Sequence, residues 1–191
     1  QPIEHLEMLR SIPNLVTTSP ADAAETVEAW RSAVRRKDGP TALILTRQKL
    51  PALSRSSDPV GDTGRGGYIL HEPTVAPKAI IIATGSEVSI ALAAALALAG
   101  EGLPTRVVSM PSWELFTDQD EAWRERVLPT AITARVSVEA ATTFGWCRWT
   151  GTNGRSIGID HFGASAPAER LFAEFGFTPE RVAEAVRSLV K

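Results

Sequence analysis

Ala79-Ile-Ile-Ile-Ala-Thr-Gly-Ser-Glu87 is the stretch that decides the fold. Its five apolar residues in a row suit a strand buried on both faces, as in parallel sheets, where alternation with polar residues is lost. Thr84-Gly-Ser-Glu87 then leads into an alanine-rich helix to about Ala99, ended by Gly100 and Gly102. Thr105 to Met110 supplies the next strand and closes a strand–helix–strand unit. Downstream, Asp118 to Val127 reads as a helix and Ile132 to Val138 as a strand. Thr142 to Gly163, with five glycines, reads as mixed loop and short strand. Pro167 to Phe175 and Pro179 to Val190 read as closing helices.

Upstream the same alternation starts earlier. Pro2 to Arg10 reads as a short helix and Asn14 to Thr18 as a brief strand. Ser19 can cap a following helix with Pro20 at its first position, and Ala23, Val27, Trp30 and Val34 form an apolar stripe at helical spacing. Asp38-Gly-Pro40 stops that helix, and Thr41 to Thr46 is an apolar run suited to another doubly buried strand. The Pro-, Gly- and Ser-rich tract from Pro51 to Gly67 reads as an interdomain linker. Gly67-Tyr-Ile-Leu70 opens the second unit. The expected class is therefore α/β: a partial parallel-sheet domain followed by a complete, smaller α/β domain with a mainly parallel sheet.

Composition narrows the functions. The 191 residues are 43% hydrophobic and 22% charged, with 20 basic against 22 acidic residues. Scattered, balanced charge gives no nucleic-acid surface, and Arg35-Arg-Lys37 reads as a solvated helix end. The single cysteine, Cys147, cannot close an internal disulfide, and His5, His71 and His161 are too scattered for a metal cluster. The longest apolar run, Ile90 to Ala99, is too short to span a bilayer. No signal-peptide pattern opens the chain, so a reducing, cytoplasmic compartment is expected. Gln1-Pro-Ile-Glu4, without an initiator methionine, reads as the start of a fragment.

Arg47 is the residue most suggestive of chemistry. It follows a core strand, and ligands of open parallel sheets collect beyond the carboxyl ends of strands. A guanidinium there can grip a phosphate with two charge-assisted bonds, or it can simply pair with a neighbouring carboxylate. Thr84 to Glu87 invites a phosphate-loop reading but lacks the glycine and lysine signatures, and a Thr84/Glu87 capping box explains it more simply. Gly64-Arg-Gly-Gly67 precedes a strand and reads as turn chemistry. Asp160 with His161, and Ser165 nearby, has the composition of an acid/base set but no G-x-S-x-G elbow. Glu139, at another strand end, reads as a structural hydrogen-bonding group.

Gln1-Pro-Ile-Glu-His-Leu6, Asp38 to Pro51, Ile82 to Val88 and Gly158 to Pro167 closely resemble transketolases, in order and across the chain. Thr46-Arg-Gln48 and Asp160 to Pro167 are similar to that family rather than to other thiamine enzymes. The resemblance implies transfer of a two-carbon ketol unit between sugar phosphates, with thiamine diphosphate and Mg2+ or Ca2+. It implies that residues 1–53 are the end of a pyrimidine-binding domain, 54–69 a linker and 70–191 the C-terminal domain. Arg47 matches the arginine that binds the substrate phosphate. The family's diphosphate-binding domain, metal ligands and ring-activating glutamate are not in this sequence, and its sugar-contacting aspartate and histidine would precede Gln1. No catalytic, cofactor-binding or metal-binding residue is therefore expected here, and no bound cofactor. The expected parent is a cytoplasmic homodimer acting on sugar phosphates, with no nucleic-acid or membrane partner, and this chain alone is expected to be inactive. Where family members usually carry arginine before Pro-Ala-Asp, this chain has Ser19. Two alternatives stand: a naturally split subunit that docks on a separate thiamine-diphosphate-binding subunit or senses phosphometabolites through Arg47, and a 1-deoxyxylulose 5-phosphate synthase.

Overall fold

The computed structural model describes residues 2–190. Its first sheet is small. Strands β1 (Val16–Thr18) and β2 (Thr41–Leu43) run parallel with Val16 opposite Thr41, preceded by helix α1 (His5–Arg10) and joined by helix α2 (Ala23–Arg35). The second sheet holds β3 (Tyr68–His71), β4 (Ala79–Ala83), β5 (Thr105–Ser109), β6 (Arg135–Val138) and β7 (Arg155–Ile157). Their spatial order is β3, β5, β4, β6, β7, and only β3 runs antiparallel to its neighbour. The α/β architecture with a mainly parallel sheet is thus the one the apolar runs predict.

Helices cover both faces of this sheet. On one side Ile81, Val107, Val136 and Val138 pack against α3 (Glu87–Gly100) and α8 (Pro179–Leu189). On the other, Ile80, Ile82 and Val108 meet the aromatic side chains of α4 (Trp113–Thr117) and α6 (Cys147–Thr150) and Val127 of α5 (Glu121–Val127). Consecutive residues of β4 point to opposite layers, so all five are buried. Fully burying each isoleucine stabilises the fold by about 1.5–3 kcal/mol. The short helix α7 (Ala168–Glu174) leads into α8.

Several local expectations change. Helix α2 starts at Ala23, with Asp22 rather than Ser19 as its cap: the Asp22 carboxylate accepts the Glu25 N–H at 2.9 Å. Its buried residues are Glu25 and Ala29, while Val27, Trp30 and Val34 are 54%, 54% and 76% exposed. The stripe is real, but no described segment lies over it. β2 spans Thr41–Leu43 and is half-buried, because among the described residues β1 is its only neighbouring strand. The tract after Pro51 is not a loose tether: Val60–Arg65 forms a 3-10 turn, and buried Asp58 accepts the Ile69 N–H and pairs with Arg126. Gly66 sits at φ 80°, and a Cβ there would lie 2.3 Å from the Phe116 nitrogen. Only glycine fits that turn.

Topology places the functional region. β5 and β6 flank β4 on opposite sides, so the chain diverges at the carboxyl end of β4, where α/β proteins form ligand crevices. The loop Thr84–Glu87 and the residues after β6 border that point, and the end of β1 comes down onto it. The Gly85 N–H donates to the Ser19 carbonyl at 3.0 Å, and the Ser19 N–H donates to the Pro111 carbonyl at 2.8 Å.

Candidate functional site

Arg47 lies just beyond β2, exposed, in the bend formed by Thr46 to Lys49. Among the described residues its guanidinium has no hydrogen-bond or ion-pair partner, so the simple carboxylate-pair reading does not hold. Thr46, before it, lines a cavity of about 150 Å³ between the two sheets, whose other walls include Ser19, Glu87 and Glu139. Gln48, after it, lines a second hollow of about 490 Å³ against α3 and the start of α7, with Lys49, Ser89 and Phe172. The arginine therefore stands on a ridge between two concave surfaces, at the edge of the crevice.

Beneath that ridge, charged side chains weld the two sheets together. Arg10 of α1 donates to both Glu139 oxygens, at 2.9 and 2.6 Å, and to Glu7 at 2.6 Å. Its guanidinium carbon lies 3.9 Å from the ring centre of Trp113, a cation–π contact. Thr84 and the Trp146 indole also donate to Glu139, at 3.2 and 2.8 Å. Burial opposes the Arg10 charge, but Glu139 and Glu7 outweigh it and hold the guanidinium above its usual range. Glu139 thus has the structural hydrogen-bonding role that its strand-end position suggested.

A second weld centres on Glu25, which accepts from Tyr68 at 2.7 Å, Ser109 at 2.7 Å and the Ala21 N–H at 2.8 Å. Burial raises its carboxyl above the ordinary range, partly offset by the Ser109, Tyr68 and Ala21 donors. Next to it Arg55 reaches both oxygens of Asp22, at 2.9 and 3.0 Å. None of this network stood out in the sequence. Asp22-x-x-Glu25 does have capping-box spacing, but Glu25 bonds the Ala21 N–H and the other sheet instead of closing the box.

The other sequence candidates resolve plainly. No Thr84/Glu87 capping box forms. Thr84 turns to Glu139, and Glu87 accepts from Ser86 and from the Ala140 N–H at 3.0 Å. Burial, with the nearby Glu139 charge, pushes the Glu87 carboxyl up to about 7 against those donors. Asp160 and His161 are not an acid/base pair. Asp160 accepts the Thr143 N–H and hydroxyl at 2.8 and 2.7 Å, while His161 Nδ1 bonds the Phe162 carbonyl and its ring packs edge-on to Phe175. Ser165 is exposed nearby without joining them. Among the described residues no group of three His, Cys, Asp or Glu side chains could hold a metal ion. The donors among the described residues therefore do not by themselves fit a divalent metal ion.

A mainly parallel, doubly wound α/β domain welded to the end of a second parallel sheet defines the class as α/β. Comparison with known proteins narrows it. Residues 66–178 match the transketolase-like C-terminal domain and residues 1–52 the transketolase pyrimidine-binding domain. The chain belongs to the transketolase family. It is 49% identical to transketolase 7 of Craterostigma plantagineum, over 99% of this chain and 28% of that protein. The crystal structure of a Pichia stipitis transketolase in complex with sedoheptulose 7-phosphate superposes with TM-score 0.91 at 41% identity, covering all of this chain and 27% of that one. A split-gene transketolase solved as an inactive β4 tetramer superposes with TM-score 0.77 at 25% identity, covering all of this chain and 62% of that one. The chain thus spans less than a third of the length of the curated relative.

Proposed function

We propose that this chain is the substrate-phosphate end of a transketolase, an enzyme moving a two-carbon ketol unit between sugar phosphates. Residues 1–53 would be the end of the pyrimidine-binding domain, 54–69 its link, and 70–191 the C-terminal domain. The observation that carries the reading is Arg47, a guanidinium with no partner among the described residues, four residues past the end of β2 and beside the crevice, within a family that contains a sugar-phosphate complex. Its planar fork can donate two charge-assisted bonds to adjacent phosphate oxygens. Held at that end, the sugar is oriented for reaction at its other end, and the entropy of positioning is lost on binding rather than in the chemical step.

Thiamine diphosphate would supply the carbanion chemistry from outside these 191 residues, with Mg2+ or Ca2+ beside it. The parent is read as a cytoplasmic homodimer. Supplied with ribose 5-phosphate, xylulose 5-phosphate, thiamine diphosphate and magnesium, the 191-residue chain forms no sedoheptulose 7-phosphate. Turnover by the pure chain would overturn that.

The likeness to a split-gene transketolase favours a second reading, in which the chain serves as a subunit docking on a separate diphosphate-binding one. In that case mixing with such a subunit restores turnover. An upstream reading frame continuous with Gln1 would end this reading.

A further inference from the structure

The cavity of about 150 Å³ between the sheets is built differently from the Arg47 ridge above it. It lies where the chain diverges at the end of β4. Glu87 lines it, only 4% exposed, and each of its oxygens accepts a single donor, from Ser86 and from the Ala140 N–H. A carboxylate oxygen has room for two donors, so both retain an open acceptor position. Glu139, the other carboxylate on this wall, has its charge met by Arg10, whereas no described cation pairs with Glu87.

The opposite wall gives an independent sign. Ser19 is 5% exposed and lines the same cavity, and its hydroxyl has no hydrogen-bond partner among the described residues. That oxygen is not itself fully buried, and an unpartnered hydroxyl on a cavity wall leaves room for a polar guest. The rest of the lining is mixed: Leu6, Pro20, Ile44 and Leu45 are apolar, and Thr46, Thr84 and Ser86 are polar. Where Glu87 is ionised, its unpaired carboxylate and the open hydroxyl favour a small cation with its own donors over an anion.

We propose that this cavity binds one compact N–H cation, a guanidinium or primary ammonium group, between the Glu87 carboxylate and the Ser19 hydroxyl. The size of the space admits one such group or a few waters. The raised Glu87 carboxyl agrees with this, because burial without a counter-charge is what raises it, and a bound cation would lower it again. The site does not depend on the role of Arg47 in substrate binding.

Thermal unfolding of the 191-residue chain at pH 8 tests it, with guanidinium chloride or methylammonium chloride at sub-denaturing concentrations. Tetramethylammonium and potassium chloride, at matched ionic strength, are the comparison. The expected result is a saturable rise in Tm of about 3–6 °C at roughly ten times the Kd, with guanidinium or methylammonium only. Glu87→Gln can still accept the Ala140 N–H with its amide oxygen while its amide N–H donates to the Ser86 hydroxyl, and it should lose the rise. Ser19→Arg, which tethers a guanidinium in the cavity, should raise Tm by itself and abolish the response to free cation. No saturable rise in the native chain overturns the proposal, as does an equal rise in Glu87→Gln or with potassium. A rise seen only in Arg47→Ala also overturns it, since Arg47 would then be the cavity's own cation.

Discussion

Arg47 and Glu87 lie close to one crevice yet differ in how each could be found. In the full-length enzyme, Arg47→Ala should raise KM for phosphorylated substrates about 10- to 1000-fold, matching the roughly 1.5–4 kcal/mol of a lost charge-assisted phosphate contact. Steady-state kinetics with phosphorylated and unphosphorylated ketoses check this, and an unchanged KM rejects the assignment. Glu87 makes a prediction about pH. Its folded carboxyl sits near 7 against an ordinary 4.5, so the folded state binds the extra proton between those values. Stability contributed by this group is then full below about 4.5, falls as pH rises through 7 and is flat above, a span of order 3 kcal/mol. Glu87→Gln should flatten that slope in urea unfolding measured from pH 5 to 8, because it cannot ionise. Arg47 could be singled out in the sequence because its place past an apolar run is a matter of chain order. Glu87 could not: its unmet charge depends on Ser19 and Glu139, which lie 68 and 52 residues away and meet it only after folding.

At the scale of elements, apolar runs and turn residues carried the reading well and helix faces carried it poorly. Ala79 to Ala83 forms the central strand because an unbroken apolar run has no other low-energy place in a covered sheet, and Val107 and Val108 anchor its neighbour Thr105 to Ser109. Helix α4 went unread since its five residues are too few to show a period, although Ser112 caps it. The α2 stripe was seen but its direction was not, since spacing reveals a face and not what covers it. Trp30→Glu combined with Val34→Glu should therefore leave chain stability within about 0.5 kcal/mol while reducing any self-association of the chain. Light scattering and chemical unfolding read the two effects, and a large loss of stability would show that this face is packed. Gly66→Ala should cost well over 1 kcal/mol, because the added methyl has backbone on its far side and φ is positive.

For the molecule as a whole, the welds at Glu139 and Glu25 mean that the small sheet and the large one stand or fall together. Arg10→Ala strands the buried Glu139 charge and should cost about 3–5 kcal/mol, with both sheets melting in one transition. Two separate transitions in calorimetry would contradict the coupling. The antiparallel edge carries one more consequence. Tyr68 opens β3 directly across from Ser109 at the close of β5, and both hydroxyls converge on the same carboxylate from α2. Sliding the edge by a single residue would swing the phenol to the far side of the pleat and leave that carboxylate short of a donor. The rim of the sheet is thereby proofread from outside: a mispaired ribbon is penalised by a helix belonging to the neighbouring layer, in addition to its own hydrophobic mismatch.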